Sequence, residues 1–347
     1  MKSSNKNRAL MYIVLALEIL FGFSASRLLF AQTGRERLIV AYAAVNPIVL
    51  PLWIAVEKGF FDSEGLDVQF VYIRNSPTML SAIVSGDIQA AYTGGTAVLS
   101  AAARGLDLQI VANTRSKLTY DIVARPEIKK PADLRGKVFG VQALGGTVWM
   151  GAVLGLEYLG LDPVRDNIKL IPFGDQTILA QALEARRIDA TVLDKPSSTE
   201  LKLKGCVFLA ELANTDIRLA GTGITFRRSF IQQRRETVRR SIRALVRANG
   251  YLFSSANKGD VIETLVKRLG IQSRTVADGA YDAVLQTIDK KPYPSIRGLE
   301  NIQRLLARLN PDVARVPLGG VVDMSFMEEL DKSGFIDEAF RTGGRAP

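Results

Sequence analysis

From Leu38 onward, short runs of β-branched and apolar residues alternate with helical patterns, and this alternation limits the fold more than any other feature. "LIVAY" (38–42), "LDVQFVYI" (66–73), "IQAAYT" (88–93) and "LDLQIVANT" (106–114) read as strands. Between them lie "PLWIAVEKG" (51–59), "SPTMLSAIVSG" (76–86) and "TAVLSAAARG" (96–105), each with helical spacing and a closing glycine. A second series follows, with strands at "LTYDIVAR" (118–125), "VFGVQA" (138–143), "NIKLIPF" (167–173), "IDATVLD" (188–194) and "LAGTGITFRR" (219–228). Strands joined through helices run parallel, so the expected class is α/β with a mainly parallel sheet in each series. After Arg228 the pattern turns helical: from Ser229 to about residue 250, then near 259–269, 273–286, 295–309 and 325–333.

The two series share details. "AIVSGDIQAAYT" and "ALEARRIDATVL" both run from a helix end into a strand, and each series holds one "GGT", at 94–96 and 145–147. Both times a strand-like run enters the glycines and an apolar helix leaves them. A helix start carries unpaired N–H groups and partial positive charge, and glycine lets a ligand approach that backbone. Neither turn is a phosphate loop, because no Gly-Lys-Ser/Thr follows, and the GxGxxG spacing is missing. The plain alternative is two tight turns with capped helices.

The sequence holds no histidine and one cysteine, Cys206. That removes Ser-His and Cys-His nucleophile pairs, most zinc sites and any internal disulfide. The formal charge is +10, but the basic residues are dispersed and no nucleic-acid motif accompanies them. Six arginines between Arg234 and Arg247 fall on one helical face, either solvated or set against a partner surface. Residues 1–31 combine Lys2, Lys6 and Arg8, the apolar "LMYIVLALEILFGF" and a small-residue end, the form of a cleaved secretory signal. An uncleaved anchor is the alternative, disfavoured by the short apolar run and by Glu18 within it.

"LWIAVEKGFFDSEGLDVQFVYI" with "LSAIVSGDIQAAYTGG", and "PADLRGKVFGVQALGGT" with "RRIDATVLDKP", resemble the ABC-transporter solute-binding proteins of the nitrate, sulfonate, taurine and hydroxymethylpyrimidine type. The resemblance runs from Leu38 to Arg228 and more loosely beyond. It implies the type II periplasmic-binding-protein fold: two lobes joined by two crossing strands, with a helical C-terminal part. "LTYDIVAR" and "GITFRR" would be the crossings, lobe 1 would be 32–124 plus 225–347, and lobe 2 would be 125–224. It also implies an exported, periplasmic monomer that binds a small polar or anionic ligand and delivers it to an ABC permease, with no cofactor, metal or nucleic acid. An enzyme on the same fold, acting on a pyrimidine-like or carboxylic substrate, and a ligand-sensing receptor subunit are the rivals. The enzyme branch that consumes its own histidine is excluded here.

Ligands in such sheets bind beyond the carboxyl ends of the strands. That rule selects Val45 and Asn46 after the first strand, and Thr93, Gly94, Gly95 and Thr96 after the third. In the second series it selects Gln142, Gly145, Gly146 and Thr147, with Leu193 and Asp194 after a later strand. Trp53 and Trp149 are more in keeping with core positions.

Overall fold

The computed structural model describes residues 35–73 and 76–345 of the 347-residue chain, so the expected signal segment at 1–31 lies outside the described residues. Ten strands form among the described residues: β1 (Glu36–Tyr42), β2 (Leu66–Tyr72), β3 (Ala90–Gly94), β4 (Leu108–Asn113), β5 (Asp121–Ala124), β6 (Val138–Val141), β7 (Lys169–Pro172), β8 (Ala190–Leu193), β9 (Val207–Glu211) and β10 (Thr222–Arg227). They divide into two five-stranded sheets with orders β2-β1-β3-β10-β4 and β7-β6-β8-β5-β9. Parallel pairing joins β1 to β3, and β6 to β7 and β8. The fourth strand of each sheet is antiparallel to both neighbours: β10 in the first, β5 in the second.

The two sheets therefore repeat one strand order and exchange one strand. The chain finishes β4, crosses, and lays β5 into the second sheet at once. It returns only after β9 to place β10 between β3 and β4. The crossings are segments 114–120 and 212–221, which touch in antiparallel fashion at Lys117 and Arg218. The strands expected to cross, 118–125 and 223–228, instead pair inside one sheet each, because β5 bonds only to β8 and β9 and β10 only to β3 and β4.

Fully buried Val40, Tyr92, Ile224 and Phe226 carry one face of the first sheet onto helices that include Arg235–Phe253. The other face joins a core that continues into the second sheet through Leu219, Ala220, Leu299 and Ile302. Trp53 and Trp149 are both buried core residues, as their helical positions suggested. No helix among the described residues is long and apolar enough to cross a membrane.

The expected continuous helix from Ser229 divides at Arg234, where φ is −132° and ψ is 42°, into Arg228–Gln233 and Arg235–Phe253. Phe230 stacks on Phe226 of β10 with centroids 5.5 Å apart, which ties the first turn to the sheet while the longer helix follows its own apolar stripe. The arginine face is largely matched by acids of the same chain. Arg243 and Arg247 hold Glu64 at 2.7 and 3.1 Å, and Arg239 meets Glu236 and Glu329, each at 2.9 Å. Glu64 is nearly buried, so its two arginines are needed to balance its charge. Glu64→Ala should lower folding stability by about 3 kcal/mol, because it leaves two guanidinium groups without their carboxylate. Urea unfolding measures this; a loss near zero would mean that water replaces the carboxylate.

Candidate functional site

The two "GGT" turns meet. Helix Gly95–Ala102 follows β3 and helix Thr147–Tyr158 follows the loop after β6. Both have a glycine N-cap in extended conformation, Gly94 (φ −93°, ψ 163°) and Gly146 (φ −83°, ψ 171°), with no side-chain cap bond. A serine or aspartate cap would bond the first-turn N–H groups itself; a glycine cap leaves them to other acceptors, and Ala220 O takes that of Gly95. Thr96 Oγ1 and Thr147 Oγ1 lie 3.2 Å apart, a hydrogen bond from one lobe to the other. A Cβ at Gly94 would sit 3.1 Å from Thr147 Oγ1, so the missing side chain there admits the opposite hydroxyl.

Around this contact is a cavity of about 350 Å³. Eight of the expected residues line it: Asn46, Thr93, Gly94, Thr96, Gln142, Gly145, Gly146 and Thr147. Asn46 also caps a short 3-10 turn, accepting from Ile48 N at 3.2 Å, so a third helical start faces the same space. Four expected residues are not in the lining. Val45 is 52% exposed and lies outside. Gly95 is a packing glycine: its N–H donates to Ala220 O at 2.8 Å, and a Cβ there would meet Leu299 Cδ2 at 2.8 Å. Leu193 is fully buried in the core. Asp194 caps helix Lys195–Leu203, accepting from Ser197 N at 3.2 Å, and burial raises its pKa.

The two turns are not equivalent in the repeated strand order. The first follows β3, the second follows β6, and the second-lobe counterpart of β3 is β8, whose exit holds Asp194. The turns come together because the lobes face each other.

Sequence reasoning missed Tyr92, Tyr120, Thr222 and Arg104, which also line the cavity. Tyr92 precedes Thr93 on the same strand, and its hydroxyl pairs with Thr114 at 2.8 Å; burial pushes its pKa up to about 12. Tyr120 and Thr222 stand at the ends of the two crossings, a position that strand patterning does not reveal. The helix expected near 295–309 forms as Ile296–Leu306 and packs beside the two turns, a placing that the sequence does not show. Its Leu299 packs at Gly95, Leu306 approaches Gly145, and Arg304 forks onto Glu157 of the second lobe at 3.1 and 2.8 Å. The lining thus offers hydroxyls, amides, open backbone N–H groups and one cation, Arg104. Among the described residues no cluster of His, Cys, Asp or Glu could hold a metal ion.

The family model described as NMT1/THI5 like matches residues 46–257. A Brucella abortus (strain 2308) protein described as a binding protein is 28% identical over 225 residues, which cover 63% of this chain and about two thirds (67%) of the relative. Among solved structures, a Bordetella bronchiseptica RB50 protein superposes with a TM-score of 0.73 at 21% identity, covering 86% of this chain and 98% of that one. The alkanesulfonate-binding protein of Xanthomonas axonopodis pv. citri, bound to MOPS, gives 0.67 at 20% identity, covering 83% and 98%. Both likenesses show the two-lobed type II periplasmic-binding-protein fold.

The capping role of Asp194 gives a pH signature. A buried carboxyl with a raised pKa holds its proton more tightly when folded, so wild-type stability falls as pH rises from about 3.9 through the raised value. Asp194→Asn keeps a competent cap and removes that charge. Its stability relative to wild type should rise across this window and then level off. Urea unfolding between pH 4 and pH 7 reads the difference, and a gap that narrows with rising pH would contradict the assignment.

Proposed function

This chain belongs to the NMT1/THI5-like family and is a solute-binding protein that captures a small ligand between two lobes for ABC transport, and we propose that the ligand is a polar or anionic organic molecule held by the two glycine-capped helix starts. The observation that carries the ligand class is the Thr96–Thr147 contact inside the cavity, with an uncapped helix start on either side. A carboxylate, sulfonate or similar head group placed there would receive main-chain and hydroxyl hydrogen bonds from both lobes. Holding such a group therefore holds the lobes together. The alkanesulfonate-binding relative, with an acid at the end of an aliphatic chain, fits this arrangement.

In this reading lobe 1 is the chain through Asn113 and from Thr222 onward, and lobe 2 is the stretch between the crossings. The protein works as a monomer, is exported by the segment at 1–31, and delivers its ligand to a permease in the inner membrane. It binds and releases its ligand unchanged. The rival reading, an enzyme on the same fold, gains no carboxylate from Asp194, which is engaged at a helix cap and is not in the lining.

The test begins with a thermal-shift screen over sulfonates, carboxylates, amino acids and pyrimidines, followed by calorimetric titration of the tightest binder. Thr147→Val should weaken that binder by about one to two orders of magnitude, the worth of a hydrogen bond to a charged group. The ligand-free protein should melt within a few degrees of wild type, since Gly146 and not Thr147 is the cap. Unchanged affinity with a lowered melting point would make the second turn a structural joint only.

A further inference from the structure

The first crossing carries a buried cation outside the lining. Arg115 is 5% exposed. Its Nη1 donates to Thr119 Oγ1 at 2.9 Å and its Nη2 to Thr222 Oγ1 at 3.3 Å, while Nε has no partner among the described residues. The acid that acts on it, Asp289, does so through space and accepts its own hydrogen bond from Ser116 Oγ at 3.0 Å. A buried charge is ordinarily matched by an opposite charge in contact. Among the described residues this guanidinium donates its hydrogen bonds to hydroxyls alone.

The donor inventory shows where its influence goes. Arginine only donates, so Thr222 Oγ1 is the acceptor in that bond and its own hydrogen points elsewhere. Thr222 lines the cavity. Its carbonyl is held by Thr114 Oγ1 at 2.8 Å and Asn113 Nδ2 at 3.0 Å, so its main chain is fixed. Because Thr114 gives its hydrogen to that carbonyl, the Tyr92 hydroxyl donates to Thr114 and offers the cavity no hydrogen of its own. Thr222 is thus a hydroxyl donor polarised by a cation behind it.

We infer that Arg115 is a specificity-determining residue: through the Thr222 hydroxyl it makes the cavity prefer a ligand bearing a negative charge over the neutral isostere of that ligand. This rests on the cavity being the ligand site. The opposing charge is Asp194, which acts on Tyr120 less strongly than Arg115 does and is engaged by Ser197 N.

The test uses matched probes at millimolar concentration: benzoate with benzamide, benzenesulfonate with benzenesulfonamide, and nicotinate with nicotinamide. Melting shifts and titrations are recorded for wild type, Arg115→Met, Arg115→Lys, Thr222→Val and Thr147→Val. At least one acid should bind wild type more tightly than its amide. Arg115→Met should weaken that acid about tenfold or more and leave the amide within about threefold, while Arg115→Lys keeps most of the preference. Thr222→Val should lose the preference as well, which carries the test if Arg115→Met does not fold. Ligand-free Arg115→Met should melt at or above the wild-type temperature, because it removes a charge that no carboxylate contacts. The inference is overturned if no acid binds wild type, if amides bind as well as acids, or if Arg115→Met keeps the preference. Acid binding that Thr147→Val weakens but Arg115→Met does not would overturn this inference alone. Binding indifferent to Thr147→Val would remove the cavity itself as the site.

Discussion

Residues 219–221 of the second crossing hold the molecule together by backbone contact. Ala220 O accepts from Gly95 N at 2.8 Å, which fixes the first helix start to the crossing. Gly221 N donates to Arg115 O at 3.1 Å, which joins the two crossings to each other. Helix Ile296–Leu306 lies so close that a Cβ on Gly298 would come within 2.2 Å of Ala220 N. Main chain meets main chain here with no side chain as spacer, so small shifts cannot be absorbed by a rotamer change. The facing of the two turns, the placing of Thr222 and the docking of helix Ile296–Leu306 beside the turns all follow from that clamp.

The α/β alternation was legible because hydrophobic period and glycine punctuation agree along most of the chain. Strand order was not, since nothing in "GITFRR" says that β10 inserts between β3 and β4. The "GGT" turns were read correctly as helix starts, and Gly94, Gly146 and Thr147 stand at the cavity. Gly95 stands outside the lining, and a sequence does not show which of two adjacent glycines packs against a distant helix. Asp194 also stands outside it: an aspartate before Lys-Pro-Ser is equally a cap and a site residue, and here it accepts from Ser197 N as a cap. Arg115 and Tyr120 belong to a crossing, where residues answer to two lobes at once and no local period marks them.

The lining also has a division of labour. Two charges are kept out of direct contact, Arg115 behind Thr222 and Asp194 behind its helix cap. Apart from the exposed Arg104, what faces the cavity is neutral and directional: threonine hydroxyls, the amide of Gln142 and glycine-opened N–H groups. Such a lining is less strongly hydrated than an exposed ion pair would be, so a ligand entering it displaces water at lower cost. Remote charges then bias the choice among ligands without holding any of them too firmly to be released.

The placing of β10 also sets an order of events during synthesis. The second sheet is drawn from one continuous stretch and is complete once β9 has emerged. The first sheet at that moment has β3 and β4 with an open seam between them, two unpaired edges awaiting residues 222–227. The helix that packs beside the turns arrives later still, with residues 296–306. A ribosome that has finished two thirds of the message therefore presents one folded lobe beside one that can still pair with a stranger. Chaperones that shield nascent chains would find their target in that seam, and a premature stop codon before β10 would leave an adhesive fragment instead of a weak binder.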